Sequence, residues 1–414
     1  MDNLIFNAEN KAGTKNTIQS IKKYLLKKQV LEFFYKEGNK TIAELSDLTN
    51  NSVPTLTNVM ADLGKEGIVK NFGIGESKGG RRPAFYGINP NFGYMVAIRL
   101  SRKNTRIGVF NLQNQPLCEI IEISEGIHTS DNVLPMIKQH TDELLTKLNL
   151  PYDKIIGFGI TIPGLIDIRK GISYSYAQFA NKPLNELFTQ LFNRPAYIEH
   201  DTKAMALGEL WFGLAKEKSN VLLVNVGSGI GLGQILNGNL YRGHSGFSGE
   251  FGHIQMNPDG ELCYCGKIGC LETISSGTAL IKKAQQLISE GKNSLISTAK
   301  EADLQEIKLK SIIRAAKAGD QFAIELLEEA GEYLAKGFSI LIHLFNPEAI
   351  IIGGEMADAD NLITDPIRQK LNKYTMQRLK QDTEILLSEL KERAGLVGMV
   401  PVIMANYLNQ SFDN

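Results

Sequence analysis

Cysteine, tryptophan and net charge are all scarce in this 414-residue chain. It has four Cys and one Trp, and its 45 Lys and Arg balance 45 Asp and Glu, so total charge identifies no partner. No apolar run approaches the roughly 20 residues of a membrane span, and the N-terminus lacks the basic and apolar stretches of a signal peptide. At about 100–200 residues per domain, we expect a cytoplasmic protein of two or three domains with no membrane partner.

The charge becomes uneven when it is resolved by region. Residues 1–90 hold 11 Lys and 2 Arg against 3 Asp and 6 Glu, a net charge of +4, so the remaining 324 residues carry −4. A basic N-terminal segment favours an anionic partner, although a solvated basic surface would leave the same signature.

Residues 1–90 carry the pattern of three helices and a two-stranded wing. Thr41 to Glu44 has the T-x-x-E form of a capping box, and Ser52 is a good N-cap for the third helix. Two apolar runs, 68–70 and 85–88, flank a loop rich in Gly, Lys and Arg. The layout predicts a winged helix-turn-helix domain. The apolar positions of the first helix are Ile18, Ile21, Tyr24, Leu25, Val30, Phe33 and Phe34, and those of the third are Leu56, Val59, Met60 and Leu63.

Polar side chains on the third helix and cations in the wing are the candidate DNA contacts. Small polar residues near the start of such a helix can reach base edges in the major groove, and wing cations can lie against phosphates or enter the minor groove. The alternative is a small helical domain that binds protein. The predicted contacts are Thr55, Thr57, Asn58, Lys78, Arg81 and Arg82.

Residues 91–414 alternate short apolar runs with helical patterns, as in an α/β domain. Runs over 94–100, 105–110 and 117–123 precede a helix and a buried strand, and a similar series begins at Val221. The similarity of the two series predicts two related lobes, about 91–205 and 206–414. A long amphipathic helix is predicted over Ala315–Phe345.

One histidine and three cysteines fall within an 18-residue window. His253, Cys263, Cys265 and Cys270 suit a tetrahedral zinc ion, and the glycines between them let the backbone bend around it. Four protein ligands leave no position for water, so we expect one structural zinc ion per chain. Three free thiols in a loop are the alternative. Cys118 lies in an apolar run and is expected in the core.

The motif around these ligands resembles the signature of the ROK family, whose name stands for repressors, open reading frames and sugar kinases. The resemblance rests on Gly249-Glu250-Phe251-Gly252-His253 and on Cys263-Tyr264-Cys265-Gly266-Lys267-Ile268-Gly269-Cys270-Leu271-Glu272-Thr273. Ile162-Pro163-Gly164, Glu199-His200-Asp201 and the segment 346–354 are similar to further family landmarks in the expected order. The resemblance implies an actin-like ATPase fold of two α/β lobes with a sugar in the cleft, and the N-terminal region is similar to the winged helix that only the family's regulators carry.

The resemblance also implies a set of sugar-contacting residues. Asp201 occupies the position of the kinase catalytic base, where a carboxylate can accept a proton or a hydrogen bond from a sugar hydroxyl. The kinases usually have Asn before this Asp, whereas His200 stands here, as in the N-acetylglucosamine repressor branch. Glu250, His253 and Glu272 match the other sugar-contacting positions.

The nucleotide site distinguishes a kinase from a regulator. The family's kinases begin the first lobe with D-x-G-G-T, where glycine amides and a carboxylate hold phosphate and metal. Arg99, Ser101, Arg102 and Lys103 stand at the Asp, Gly, Gly and Thr positions. A second glycine-rich segment, Gly227–Gly233, is better preserved but is also compatible with a tight turn. We therefore expect no kinase activity, with Asp201 as a vestigial base.

Together these patterns predict a sugar-responsive transcriptional regulator, a repressor above all. Its winged helix would bind operator DNA, and its effector would be a sugar or a sugar phosphate. A homodimer or tetramer would match a palindromic operator. One alternative is a ROK sugar kinase that retains a DNA-binding head. A third interpretation is that the lobes bind a component of the phosphotransferase system, as some repressors of the family do.

Overall fold

The computed structural model describes residues 18–74, 83–128, 132–176, 179, 183–296 and 304–410. The chain divides into two compact units. The first comprises Met1–Ile160, Asn185–Tyr197 and Val400–Asn414, and the second comprises Thr161–Leu184 and Ile198–Met399. The domain boundary predicted at residue 90 and the lobe boundary near residue 205 stay predictions. Within the described residues, no helix is both long and apolar enough to cross a membrane.

The N-terminal part of the first unit has the winged helix-turn-helix topology. The Thr41 hydroxyl accepts from the Glu44 amide at 3.2 Å, and the Glu44 carboxylate accepts from the Thr41 amide at 2.7 Å, which confirms the predicted capping box. The three strands pair in the order β1-β3-β2. In chain order the elements are α1 (Ile18–Glu37), β1 (Lys40–Thr41), α2 (Ile42–Thr49), α3 (Val53–Lys65), β2 (Val69–Ile74) and β3 (Ala84–Ile88).

The buried faces of α1 and α3 differ in how well the sequence predicts them. Helix α3 buries the four predicted apolar residues. In α1 the buried side chains include Leu26, Val30 and Phe34, whereas Ile21 and Leu25 are 46% and 51% exposed. The prediction that one apolar face runs along the whole of α1 is therefore wrong for its first two turns.

A five-stranded sheet follows, with strand order β10-β7-β4-β5-β6. Strands β4 and β5 are antiparallel and β5 pairs antiparallel with β6, which is shorter than the predicted run 117–123. Strands β8 and β9 form a separate hairpin. The elements are β4 (Tyr94–Leu100), β5 (Thr105–Asn111), β6 (Ile121–Ile123), α4 (Val133–Lys147), β7 (Ile155–Ile162), β8 (Ile166–Asp167), β9 (Ile172–Ser173), α5 (Leu184–Phe192) and β10 (Ala196–His200).

The second five-stranded sheet repeats this topology, with order β13-β12-β11-β14-β15. In both sheets three consecutive strands form an antiparallel meander, and two later strands are added beside the first strand of that meander. The shared topology is what two related α/β halves would have. The elements are α6 (Asp201–Phe212), β11 (Val221–Val226), β12 (Ile230–Leu236), β13 (Asn239–Tyr241), α7 (Glu272–Ser275), α8 (Gly277–Ser289), α9 (Leu309–Lys317), α10 (Gln321–Phe345), β14 (Ala349–Gly353), α11 (Asn361–Tyr374), α12 (Gln377–Gln381), β15 (Glu384–Leu387) and α13 (Ala394–Gln410).

The predicted helix over 315–345 is interrupted between α9 and α10. Gly319 takes a φ of +87°, which glycine adopts readily, and so ends α9. Asp320 then caps α10 by accepting a hydrogen bond from the Ala323 amide at 2.8 Å. Side chains of α10 such as Leu334 and Phe338 pack with Leu222 and Val224 of β11 in the core of the second unit.

Helices α6 and α13 cross at glycines with almost no space between their backbones. A Cβ atom on Gly398 would lie 1.7 Å from the Ala204 carbonyl oxygen, and one on Gly208 would lie 2.4 Å from the Ala394 carbonyl oxygen. Helix α13 begins in the second unit and ends in the first. There Asn409 accepts hydrogen bonds from Lys28 Nζ at 2.6 Å and from Tyr24 Oη at 3.4 Å, both of α1.

Candidate functional site

The structure brings the four predicted metal ligands together. The ligand atoms of His253, Cys263, Cys265 and Cys270 all lie within 4.8 Å of one another. Cys263 Sγ is 3.6 Å from His253 Nδ1, and Cys265 Sγ is 3.7 Å from Cys270 Sγ. Cys263 and Cys270 are buried, whereas Cys265 is exposed. The cluster can hold a metal ion.

A glycine lets the chain close around this cluster. Gly269 takes a φ of +69°, and a Cβ atom there would lie 1.5 Å from the Asn257 carbonyl oxygen. The turn is further fixed because the Cys263 amide donates to the Lys267 carbonyl at 2.7 Å. The sequence prediction that glycines shape this loop is therefore correct at Gly269.

His253 presents its two ring nitrogens to different surroundings. Nδ1 faces Cys263, whereas Nε2 lies 4.0 Å from Glu250 Oε2 and 3.3 Å from the Tyr264 hydroxyl. A histidine that binds a metal through one nitrogen commonly hydrogen-bonds through the other. His253 can therefore bind a metal through Nδ1 while Nε2 lies within hydrogen-bonding distance of the Tyr264 hydroxyl and beside Glu250.

Asp201 and His200 lie at the junction of β10 and α6. Asp201 Oδ1 accepts from the Thr202 amide at 2.6 Å and from the Thr202 hydroxyl at 3.1 Å. His200 Nδ1 is 3.4 Å from the same oxygen. This nitrogen is buried, and the contact does not have the geometry of a hydrogen bond. The Asp201 carboxylate is thus held by the first turn of its own helix.

Glu272 connects the cysteine-rich segment to the glycine-rich hairpin between β11 and β12. Its side chain is 9% exposed, and Oε2 accepts a hydrogen bond from the Ile230 amide at 2.8 Å. A Cβ atom on Gly229 would lie 2.5 Å from that oxygen. Glycine at position 229 therefore makes room for the Glu272 carboxylate. Glu272 is the first residue of α7 and directly follows Cys270 and Leu271.

Three charged residues that the sequence did not predict as site residues surround the same region. Glu199 and Lys203 are only 2% and 4% exposed. Arg242 Nη2 is 2.6 Å from Glu199 Oε2, and Lys203 Nζ donates to the Gly246 carbonyl. Glu199 belongs to the motif at residues 199–201, so that motif could have indicated it. Nothing local in the sequence distinguishes Lys203 from a solvated lysine.

The predicted base-contacting residues of α3 are all exposed. Thr57 Oγ1 donates to the Val53 carbonyl at 2.8 Å, and Thr55 Oγ1 lies 2.8 Å from the Ser52 hydroxyl, while Asn58 lies one residue further along the helix. The buried residues of α3 hold the opposite face against the domain. The predicted wing residues Lys78, Arg81 and Arg82 lie outside the described residues.

Comparison with known proteins assigns most of the chain to a protein family. The ROK family model matches residues 95–405. This chain belongs to the ROK family. It is 30% identical over 401 residues to the xylose repressor of Caldicellulosiruptor bescii, covering 96% of this chain and 98% of that protein. It is 32% identical over 373 residues to the DNA-binding transcriptional dual regulator NagC of Escherichia coli, covering 89% and 88%.

Solved structures extend the likeness of this ROK chain to the N-terminal helices. A ROK family transcriptional regulator, a homolog of the E. coli MLC protein, superposes with a TM-score of 0.77 at 26% identity and covers 94% of this chain and 98% of its own. The ROK family glucokinase from Streptomyces griseus, in complex with glucose and AMPPNP, has a TM-score of 0.67 at 27% identity, covering 75% and 99%. The predicted actin-like, sugar-kinase-like α/β fold with an N-terminal DNA-binding head is confirmed.

The glycines of the hairpin between β11 and β12 lie against helix α6. In the β11–β12 hairpin, a Cβ atom on Gly231 would lie 2.4 Å from Thr202 Oγ1, and one on Gly233 would lie 2.5 Å from the Ala206 Cβ. These glycines allow β12 to pack closely on α6. Packing accounts for them without a bound nucleotide.

The turn between β4 and β5 carries residues that the sequence predicts at the first phosphate-motif positions. The Ser101 amide donates to the Asn104 carbonyl at 2.9 Å, and the Asn104 amide donates to Ser101 Oγ at 3.2 Å. Arg99 faces Arg106 across the two strands, and its Nε is buried without a hydrogen-bond partner. The turn thus uses two of its own amides in internal hydrogen bonds.

Proposed function

We propose that this chain is a sugar-responsive transcriptional repressor that binds operator DNA through α3 and a sugar through its ROK domain. The observation that carries the proposal is the joining of a winged helix-turn-helix to a ROK domain in one chain. The regulator of known structure covers 94% of this chain, whereas the glucokinase covers 75%. Relatives that match along most of the length are named xylose repressor and N-acetylglucosamine repressor.

The sugar site of the proposal consists of His200, Asp201, Glu250, His253 and Glu272, all within the second unit. Carboxylates accept hydrogen bonds from hydroxyl groups, and these charge-assisted bonds are about twice as strong as neutral ones. Asp201 Oδ1 is engaged by Thr202, so Oδ2 is the oxygen that receives a sugar hydroxyl. His253 contributes Nε2 beside Glu250.

The metal of the proposal is one structural zinc ion. Zn–S bonds of about 2.3 Å and Zn–N bonds of about 2.0–2.1 Å put tetrahedral S···S pairs about 3.8 Å apart and S···N pairs about 3.6 Å apart. The distances of 3.7 Å and 3.6 Å in the cluster fit those edges. Zinc would hold together the segment that supplies both Glu250 and Glu272.

Phosphotransfer is not part of the proposed function. Arg99, Ser101, Arg102 and Lys103 replace the motif that would hold ATP phosphates and their metal, and the turn consumes two of its own amides. Asp201 then binds the sugar without acting as a base. The competing function is a ROK sugar kinase with a DNA-binding head, for which the likeness to the glucokinase is the supporting observation.

The partners of the proposal follow from its two activities. A repressor of this kind would bind a palindromic operator as a homodimer or as a tetramer, because a twofold axis in the protein matches the twofold axis of the DNA. A phosphotransferase-system protein is a second candidate partner for the lobes, and a pull-down from lysate distinguishes it from a sugar effector.

The test is operator binding with and without sugar. Fluorescence anisotropy on fragments of the DNA upstream of its own gene should give a complex that salt weakens steeply, since phosphate contacts release counterions. Asn58→Ala should cost about 1–3 kcal/mol on the specific fragment and little on random DNA, with exposed Asn293→Ala as the control. Absence of any upstream complex refutes the repressor, and sugar-dependent ADP release at about 1 per second or faster establishes the kinase.

A further inference from the structure

The loop that follows β13 is anchored to the junction of β10 and α6. Arg242 Nη2, at the start of the loop, is 2.6 Å from Glu199 Oε2, and the Gly246 carbonyl in its middle accepts a hydrogen bond from Lys203 Nζ. The same junction supplies Asp201 of the proposed sugar site. The loop is therefore held beside that site, within the second unit.

The loop also contacts the β8–β9 hairpin through a pair of aromatic rings. Phe247 directly follows Gly246, and its ring centroid lies 6.0 Å from that of Tyr174, with an angle of 71° between the ring planes. Such an edge-to-face arrangement is a favoured geometry of aromatic pairs. Phe247 precedes Glu250 by three residues, so the aromatic pair and a proposed sugar-binding carboxylate share one short segment.

Hydrogen bonds fix the part of the hairpin that carries Tyr174. The Tyr174 amide donates to the Leu165 carbonyl at 2.9 Å, and the Leu165 amide donates to the Ser175 hydroxyl at 2.8 Å. Gly164 has a φ of +86°, and a Cβ atom there would lie 2.6 Å from the Ser175 hydroxyl oxygen. Tyr174 and Leu165 are therefore held opposite each other by a well-defined backbone.

This aromatic surface is open to solvent. Tyr174 is 56% exposed and Leu165 is 38% exposed, whereas Ile166 and Ser173, the next pair along the hairpin, are buried. Contiguous exposed apolar groups mark binding surfaces, and ligand sites combine aromatic side chains with a few well-placed polar groups. An exposed aromatic surface next to a carboxylate-bearing segment suits a ligand that has both apolar faces and hydroxyl groups.

A sugar ring has this combination of groups. Its hydroxyl groups point outward, and its C–H groups form apolar faces that can pack on aromatic side chains. The carboxylates of Asp201, Glu250 and Glu272 provide acceptors for the hydroxyl groups of one ring. Tyr174 and Phe247 would add a surface of different chemistry for a group attached to that ring.

We propose that Tyr174 and Phe247 hold a second sugar ring, linked by a glycosidic bond to the ring in the proposed sugar site. The effector is then a disaccharide or a longer glycoside. The inference rests on the proposed function, because it extends the same site. Its supporting observation is the continuity of the aromatic pair, through one anchored loop, with the proposed sugar contacts.

Calorimetric titration of the full-length protein compares each monosaccharide with its methyl glycoside and with a disaccharide. The probes are xylose with xylobiose, glucose with cellobiose and maltose, and N-acetylglucosamine with N,N′-diacetylchitobiose. The methyl glycosides have the linkage but no second ring. In at least one series the disaccharide should bind about threefold to tenfold more tightly than the methyl glycoside. This preference should persist at about 0.5 M salt, because packing on a ring involves no net charge.

Two substitutions of Tyr174 test the role of its ring. Tyr174→Ala removes the ring, so the ratio of disaccharide to methyl-glycoside affinity should fall to about one. Tyr174→Phe keeps the ring and should keep the parent ratio. Leu295→Ala is the matched control, because Leu295 is 53% exposed, belongs to the same unit and lies outside the aromatic pair. Each ratio is measured within one protein, so a loss of stability alone does not change it.

The outcomes separate the inference from the proposed function. Monosaccharide binding with no preference for any disaccharide overturns the inference alone and leaves the aromatic pair to a protein partner. A preference that survives Tyr174→Ala also overturns it, because the second ring would then bind elsewhere. A protein that binds its operator but none of the sugars overturns the sugar-responsive function itself.

Discussion

At the scale of single residues, His253 joins two parts of the molecule. Its Nδ1 lies with the cysteine sulfurs and its Nε2 lies beside Glu250. An ion on one side of the ring fixes the orientation of the other side. The metal and the sugar should therefore depend on each other, although the metal itself takes no part in binding the ligand.

Substitution of one ligand tests that dependence. Cys265→Ser should lose the zinc ion, because serine is a poor zinc ligand, and should loosen the segment from Glu250 to Glu272. Sugar affinity should then fall about tenfold or more, the loss expected for one charge-assisted hydrogen bond. Elemental analysis and calorimetry measure the two effects. Cys118→Ser, in the other unit, should retain both metal and sugar, and gently purified parent protein without zinc would refute the metal site.

Glu209 provides a prediction about pH. It is fully buried, and burial raises its pKa above the ordinary 4.5, while hydrogen bonds from Ser388 Oγ and the Leu214 amide oppose the shift. Because the folded state holds this proton more tightly than the unfolded state, its contribution is complete below about pH 4.5 and is lost as pH rises through the folded pKa.

Glu209→Gln removes the charge and keeps an oxygen for the Leu214 amide. The melting temperature of this variant relative to the parent should therefore rise between pH 5 and pH 8, as measured by thermal unfolding in matched buffers. Glu217→Gln, on the surface, should show a flat difference. A constant difference for Glu209→Gln across that range would mean that its carboxyl titrates as an ordinary one.

At the scale of elements, the close crossing of α6 and α13 depends on glycine. Gly398→Ala would drive a methyl group into the Ala204 carbonyl, 1.7 Å away, and should destabilise the protein by about 1–3 kcal/mol or more. Gly64→Ala in α3 meets no atom within 4 Å and should stabilise by about 0.5–1 kcal/mol through helix propensity. The midpoints of urea unfolding measure the stability of both variants relative to the parent. Equal stability of Gly398→Ala and the parent would show that the helices can separate without cost.

Elements with local signals are those that the sequence predicts well. The capping box at Thr41, the N-cap at Ser52 and the metal ligands within 18 residues are each specified by neighbours in the chain. Gly319-Asp320 also indicates the break between α9 and α10, because glycine ends helices and Asp is a good N-cap. The apolar positions continue at helical spacing across this pair, so the pattern predicted one uninterrupted helix. Lys203 and Arg242 could not be found this way, because their burial depends on residues about forty positions apart meeting in the fold.

At the scale of the whole molecule, the two proposed activities reside in different units. The proposed DNA contacts of α3 belong to the first unit and the proposed sugar contacts to the second. A sugar can alter operator affinity only if it binds two conformations of the protein with different affinity. Coupling of about 1–3 kcal/mol would change operator affinity by roughly 5–150-fold.

Glu250→Ala separates the two activities. It removes a sugar contact in the second unit and leaves α3 untouched, so operator affinity without sugar should equal that of the parent. The sugar-dependent change should disappear, because the charge-assisted bonds of a carboxylate contribute about 1.5–3 kcal/mol each. Anisotropy with and without sugar measures both, with exposed Glu217→Ala as the control. A full response in Glu250→Ala would place the sugar elsewhere.

The contact of Asn409 with Lys28 and Tyr24 has a consequence for the construction of chimeric regulators. The last turn of α13 rests on the first helix of the DNA-binding head, so the head is built from both ends of the described chain. Grafting residues 18–88 alone onto another ROK domain would leave α1 facing a foreign C-terminus. A transferable head should therefore carry the end of α13 with it, and a purification tag fused after that helix would lie next to the surface that the graft must preserve.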